Sequence, residues 1–126
     1  MKRLIAAAIG ALSAGNGAVM LAAGEAWYGA TPGVAETGPY NPHFVADVGA
    51  VYLVAGLALL ARARRPELWP AAVAGALFFA AHALIHIAGL AGGHSNHAAF
   101  ETALVILPAG LGLWAAFPAV GEKRHA

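Results

Sequence analysis

The chemistry in this sequence lies in its histidines and in the carboxylates that keep company with them. Six histidines occur; His43, His82, His86, His94 and His97 lie within or beside apolar stretches, and only His125 sits near the carboxyl end. Glu25, Asp47 and Glu101 accompany them. His43 and Asp47, His82 and His86, and His97 and Glu101 are each four residues apart, a spacing that puts both members of a pair on one helix face. Imidazole and carboxylate are nitrogen and oxygen donors of the kind that hold Fe, Zn or Cu, and the chain has no cysteine to add a thiolate. Three helices presenting such pairs, with Glu25 from a fourth, would make a dinuclear centre, or one ion with carboxylates orienting its histidines. The expected metal set is therefore His43, Asp47, His82, His86, His94, His97, Glu101 and Glu25. Asp47 or Glu101 would bridge ions or act as a general base. A metal-bound hydroxide would serve hydrolysis; a redox metal would handle oxygen or electrons. Each residue also has an ordinary reading: an exposed interfacial histidine, a loop histidine facing water, or a carboxylate bonded to a neighbouring helix. Ser13, Asn16 and Tyr52 read as helix–helix contacts.

The elements that must position these groups are written in hydropathy. The 126 residues are 60% hydrophobic and 10% charged. Four stretches, 4–28, 43–61, 68–90 and 97–117, are almost free of charge. Each is about long enough to cross a hydrocarbon core of roughly 30 Å at about 1.5 Å per residue. A soluble bundle would carry polar stripes between its apolar ones, and these segments carry almost none. The expectation is an all-α, integral membrane, four-helix up-and-down bundle, with 1–126 as a single domain.

Every Lys and Arg falls in one of three clusters: Lys2 and Arg3, then Arg62, Arg64 and Arg65, then Lys123 and Arg124. An even number of crossings puts all three on one face, the cytoplasmic face by the positive-inside rule, and so both termini too. Reading the first stretch as a cleaved signal peptide would leave the remaining termini on opposite faces, so it is taken as a span. The expected location is the cytoplasmic membrane. With four alternating directions, the histidines and carboxylates all come to one depth near the outer face. Ionisable groups inside a bilayer are costly unless paired, wet or metal-bound, so that common layer is the candidate site.

Local signals add detail. Asn41 can cap a helix whose first position is Pro42. Gly89, Gly92 and Gly93 end the third span, and Ser95 or Asn96 can cap the fourth. Pro108 should bend that span, since its ring clashes with the preceding turn. Ser13 with Gly17, and Gly49 with Gly56, offer small faces for close helix approach. No basic patch with interleaved aromatics and no phosphate loop in strand–turn–helix context points to nucleic acid or nucleotide.

His82-Ala83-Leu84-Ile85-His86 resembles the first histidine box of membrane desaturases and hydroxylases, and His94-Ser95-Asn96-His97 loosely resembles another of their boxes. That resemblance implies an iron pair activating oxygen at the membrane face. It covers about a tenth of the chain, and Ala98 stands where the adjacent histidine of the later boxes would be. As a whole, and through the phrase Asn41-Pro42-His43-Phe44-Val45-Ala46-Asp47-Val48-Gly49, the chain resembles small bacterial four-helix membrane proteins of DoxX-like and similar families.

Three functions follow as expectations. The first is a metal-centred membrane protein, an oxidoreductase acting on a small or lipophilic substrate that arrives from the bilayer. The second is a bis-histidine haem protein moving electrons, with His82 opposite His43 or His97. The third is a non-enzymatic accessory subunit, or a carrier of metal ions or protons. Small-residue faces would permit a homodimer or a partner membrane subunit.

Overall fold

The computed structural model describes residues 1–119 and 122. The expectations placed on Lys123, Arg124 and His125 lie outside the described residues. Among the described residues four helices are long and apolar enough to cross a membrane: Lys2–Ala22, Pro42–Arg64, Pro66–Ala91 and Ala98–Ala116. In chain order the elements are α1 (Lys2–Ala22), α2 (Gly24–Ala30), a 3-10 turn (Val34–Thr37) and α3 (Pro42–Arg64). A 3-10 turn (Pro66–Leu68), α4 (Trp69–Ala91), α5 (Ala98–Glu101), a π-turn (Thr102–Ile106) and α6 (Leu107–Ala116) follow.

The first span is shorter than the stretch 4–28 foretells. Ala23, at φ −144° and ψ 47°, leaves helical geometry, and the chain turns back into α2. The proof is a bond: Trp27 Nε1 donates to Asn16 Oδ1 at 2.9 Å. In one straight helix those residues would stand about 16 Å apart along the axis. Span two starts as its sequence directs, with Pro42 in the first turn and the Phe44 N–H donating to Asn41 Oδ1 at 3.1 Å.

The helices form a ring in which α1 packs on α3, α3 on α4, α4 on α6, and α6 on α1. The α1–α3 seam is made of small residues. A Cβ on Gly17 would stand 2.5 Å from the Gly49 carbonyl oxygen, and one on Gly10 would stand 2.8 Å from that of Gly56. Only glycine lets the two backbones come this close, which is the usual way apolar helices gain contact in lipid. The centre of the bundle is filled by Leu59, Phe79 and a layer of alanines including Ala55, Ala76, Ala109 and Ala115.

At the end opposite the histidines, cations hold the carboxyl ends of helices. Arg62, 0% exposed, donates from Nε to the Ala116 carbonyl and from Nη2 to the Phe117 carbonyl, both at 3.2 Å, and to Glu122 Oε2 at 2.8 Å. Arg3 donates to the carbonyls of Ala63 and Arg64, and Lys2 to that of Phe117 while lying over the Trp114 ring. Terminal carbonyls lack intrahelical donors and carry partial negative charge, so positive side chains are favoured there.

Span four accommodates Pro108 by widening. Pro108 lacks the N–H that an α-helix would aim at the fourth carbonyl back, and its ring would strike that carbonyl. The chain answers with the π-turn Thr102–Ile106, and Pro108 then sits in the first turn of α6.

Candidate functional site

The polar groups at the histidine end form a line. His82 and His86, one turn apart on α4, bring their Nε2 atoms to 3.3 Å. The other ring nitrogen of His86, Nδ1, meets Glu101 Oε2 at 3.0 Å. Glu101 is 7% exposed, and its second oxygen accepts from the Ser95 hydroxyl. Ser95 Oγ in turn accepts the His97 N–H at 3.1 Å. The loop before span four thus anchors Glu101, Glu101 orients His86, and His86 orients His82. The His82 ring stacks on Phe78 and meets the edge of Tyr52, with centroids at 6.0 and 5.7 Å.

This line borders a cavity of about 960 Å³. Ser13, Asn16 and Met20 of α1 form one wall; Val45, Val48 and Tyr52 of α3 another; Phe78, His82 and His86 of α4 a third. Phe100, Glu101, Leu104, Val105 and Pro108 of span four complete it, and residues of the Thr31–Asn41 connection roof it. Leu12 and Leu104 line it too, yet are 70% and 63% exposed. Phe44 of α3 lines it as well and is 64% exposed, so apolar lining residues of α1, α3 and span four also reach the outer surface. Below lies the packed layer of Leu59, Phe79 and alanines. Among the described residues no Lys or Arg lines the cavity.

These positions correct the expected metal centre. Among the described residues no group of three or more His, Asp or Glu side chains is disposed to hold an ion. An ion needs donors around one point at about 2.0–2.2 Å. Here His86 faces Glu101 with one ring nitrogen and His82 with the other, so the three groups stand in series rather than around a centre. His43 and Asp47 do pair, at 3.4 Å, but on an exposed face of α3 with side chains 88% and 67% exposed. His97 stands before α5 rather than within a helix, so it does not share a face with Glu101; its Nε2 meets Glu36 Oε1 at 2.8 Å instead. His94 is an exposed residue of the turn after α4. Glu25, exposed on α2, borders a separate hollow of about 630 Å³ at the α1–α2 break.

Iron, zinc and copper are therefore withdrawn as cofactors, and with them the oxidoreductase and the metal carrier built on that centre. Bis-histidine haem ligation falls on the same geometry. His82 touches His86 of its own helix, while His43 is paired with Asp47 and His97 with Glu36. The imidazole–carboxylate layer survives as a hydrogen-bonded relay, and in that layer only His82, His86 and Glu101 of the expected set come together.

Other residues of the site were given different roles by the sequence. Ser95, expected as a helix cap, is the anchor of Glu101; its place six residues before a carboxylate was the available signal. Asn16 bonds Trp27, and with Ser13 and Tyr52 it faces the cavity rather than only a neighbouring helix. Glu36, in the connection to span two, carried no signal for its bond to His97. Compared with known proteins, this chain matches no family model, no curated protein and no solved structure.

Proposed function

We propose that this protein is a single-domain, four-span protein of the cytoplasmic membrane that takes a lipophilic small molecule from the bilayer and holds its polar end against the Glu101–His86–His82 relay. The architecture resembles small bacterial four-helix membrane proteins, and both termini face the cytoplasm in this reading. The observation that carries the function is the conjunction of cavity and relay. A chamber of about 960 Å³, walled mostly by apolar residues some of which also face outward, ends at hydrogen-bonding groups that are held in place by their own partners. Ligand sites are commonly of this kind: mostly apolar walls with a few fixed polar groups. The packed layer beneath supports a binding site over a conduit. The orientation is supported by the basic residues, since Lys2, Arg3 and Arg62 gather at one end and the histidine-end connections have none.

Photolabelling tests the reading. An alkyl diazirine probe in lipid nanodiscs should label 12–16 of α1 and 100–108 of span four above the level seen on other lipid-facing segments. Ser13→Trp, which fills the chamber, should remove that excess. Uniform labelling that ignores Ser13→Trp refutes it. Because the native chain has no cysteine, single cysteines at His43 and Arg64 report the orientation directly with an impermeant maleimide.

A further inference from the structure

We propose that the outward face of α3 is a homodimer interface: a second copy of this chain sets its own α3 alongside and parallel, and His43 and Asp47 of both copies meet at the two-fold axis. The cavity plays no part in this. Among the described residues, Asp47, His82, His86 and Glu101 are the His, Asp, Glu, Lys or Arg side chains that lie three or more places inside a span. His82 and His86 turn toward the cavity, and Glu101 is buried. Of these four, Asp47 alone turns away from the bundle, its side chain 67% exposed and paired with His43, itself exposed. At about 1.5 Å per residue, Asp47 lies roughly 7 Å from the start of α3, a helix of about 34 Å that scarcely exceeds a hydrocarbon core of roughly 30 Å. A carboxylate facing acyl chains at that depth is costly, and its side chain is too short to reach the headgroups as lysine and arginine do.

The residues that share this face say what covers it. His43, Asp47, Ala50, Val54, Leu57 and Ala61 succeed one another at intervals of four, three, four, three and four, the seam spacing of a two-stranded coiled coil. All but the half-buried Ala61 are exposed on the outside of the bundle. The opposite face of α3 packs inward, and its Gly49 and Gly56 are taken up by α1. Exposed residues on the other spans are apolar, such as Leu12 on α1, Leu84 on α4 and Leu111 on span four. In coiled-coil register Val54 falls at an a position and Leu57 at a d position, the combination that favours two parallel strands, and a polar residue at one a position fixes their register. Copies inserted the same way in one membrane place their α3 helices parallel, so the interface is isologous. Each Asp47 then enters a hole bounded by the partner's His43, the partner's Asp47 and the partner's Ala50. Two imidazoles and two carboxylates gather there, out of the lipid. An imidazole carries at least one N–H in either charge state, so there is a donor for each carboxylate. A different membrane protein would have to present such donors at this one depth; a second copy brings them there by symmetry.

The chain has no cysteine, so single cysteines read the interface directly. In liposomes of the full chain, Ala50→Cys and Leu57→Cys should form disulfide-linked dimers on mild oxidation, and Leu84→Cys and Leu111→Cys should not. Energy transfer between copies labelled at the amino terminus, followed across protein-to-lipid ratios, gives the dimer–monomer equilibrium. His43→Asp sets four carboxylates at the axis and should weaken association about tenfold or more. Exchanging the two residues, His43→Asp with Asp47→His, restores two of each and should recover most of that loss. Both side chains are exposed in the single copy, so neither variant disturbs the packing of the bundle. A chain that stays monomeric at every density overturns the proposal. So does cross-linking at Leu84→Cys or Leu111→Cys as readily as at Ala50→Cys. Association that ignores His43→Asp, or that the exchange does not recover, overturns the polar pair as the centre of the interface. In cells, an Ala50→Cys adduct at any mass other than twice the chain's means that another protein holds this face, which overturns the second copy. None of these results bears on the cavity, which the labelling of its lining tests separately.

Discussion

Gly15 and Gly17 stand two residues apart on α1 and are expected to respond to the same substitution with opposite signs. A Cβ on Gly15 meets nothing within 4 Å, whereas one on Gly17 would lie 2.5 Å from both the Gly49 carbonyl oxygen and the Leu53 backbone nitrogen. Those are backbone atoms, so no rotamer can relieve the clash. To reach an ordinary contact, α1 must move off α3 by roughly 1 Å, and a gap of about that size forfeits a quarter to a half of each contact's attraction. The loss spreads along the seam to Gly10, Ala14 and Met20, because these share the α3 surface. Overpacking of this kind costs about 1–3 kcal/mol. Gly15→Ala instead gains up to about 1 kcal/mol from helix propensity. Equilibrium unfolding in mixed detergent and SDS micelles measures both, each serving as control for the other. If the two variants unfold within about 0.5 kcal/mol of one another, a margin well below the overpacking cost, the seam is not packed as described and the α1 wall of the cavity is misplaced.

Two further outcomes follow from the ends of the bundle. The Ala119 N–H and the Arg62 guanidinium hold the Glu122 carboxyl below the ordinary carboxylate range. A depressed folded-state value means this contribution is complete above the unfolded-state pKa and fades as pH falls through the folded one. Acid titration of thermal stability should therefore show a loss below the usual carboxylate range that is absent in Glu122→Gln. At the other end, Glu36→Ala removes the bond to His97 that ties the roof to span four. Because the Glu36 side chain is 59% exposed, the cost is under about 1 kcal/mol. Amide exchange in 32–41 should quicken by up to about fivefold, with the helices unaffected; no change there would mean the roof is held by other contacts.

The spans were legible because each is nearly uniform in apolarity and bounded by charge, proline or glycine. The uniformity that makes a span visible also hides which way it faces. Spacing fixes the angle between His82 and His86, or His43 and Asp47, within one helix. It does not fix the angle that the helix turns toward its neighbours. Both pairs form, but only the first faces the cavity. Shared spacing within each helix therefore did not make a common centre. Two backbone events were also silent. Ala23 breaks α1 at a residue with high helix propensity, because α2 and Asn16 gain a bond by the reversal. His97 falls outside the helix that Ala98 begins, and this redirects its side chain to Glu36. Pro108 did announce an irregularity, though the chain met it with a wide turn that the proline alone does not specify.

That wide turn gives the fourth span two independent phases. One extra residue in a turn rotates everything above it by about 100° relative to everything below. The lower piece, with Ala109, Gly112 and Ala116 inward, takes its heading from the bundle's alanine layer. The upper piece takes its heading from His86, through Glu101. A chain that drew the π-turn back into regular α-helix would swing the carboxylate off its imidazole like a dial moved one notch, while the half near the arginines stayed seated. The fold can thus retune its chemical half without disturbing the half that keeps it assembled.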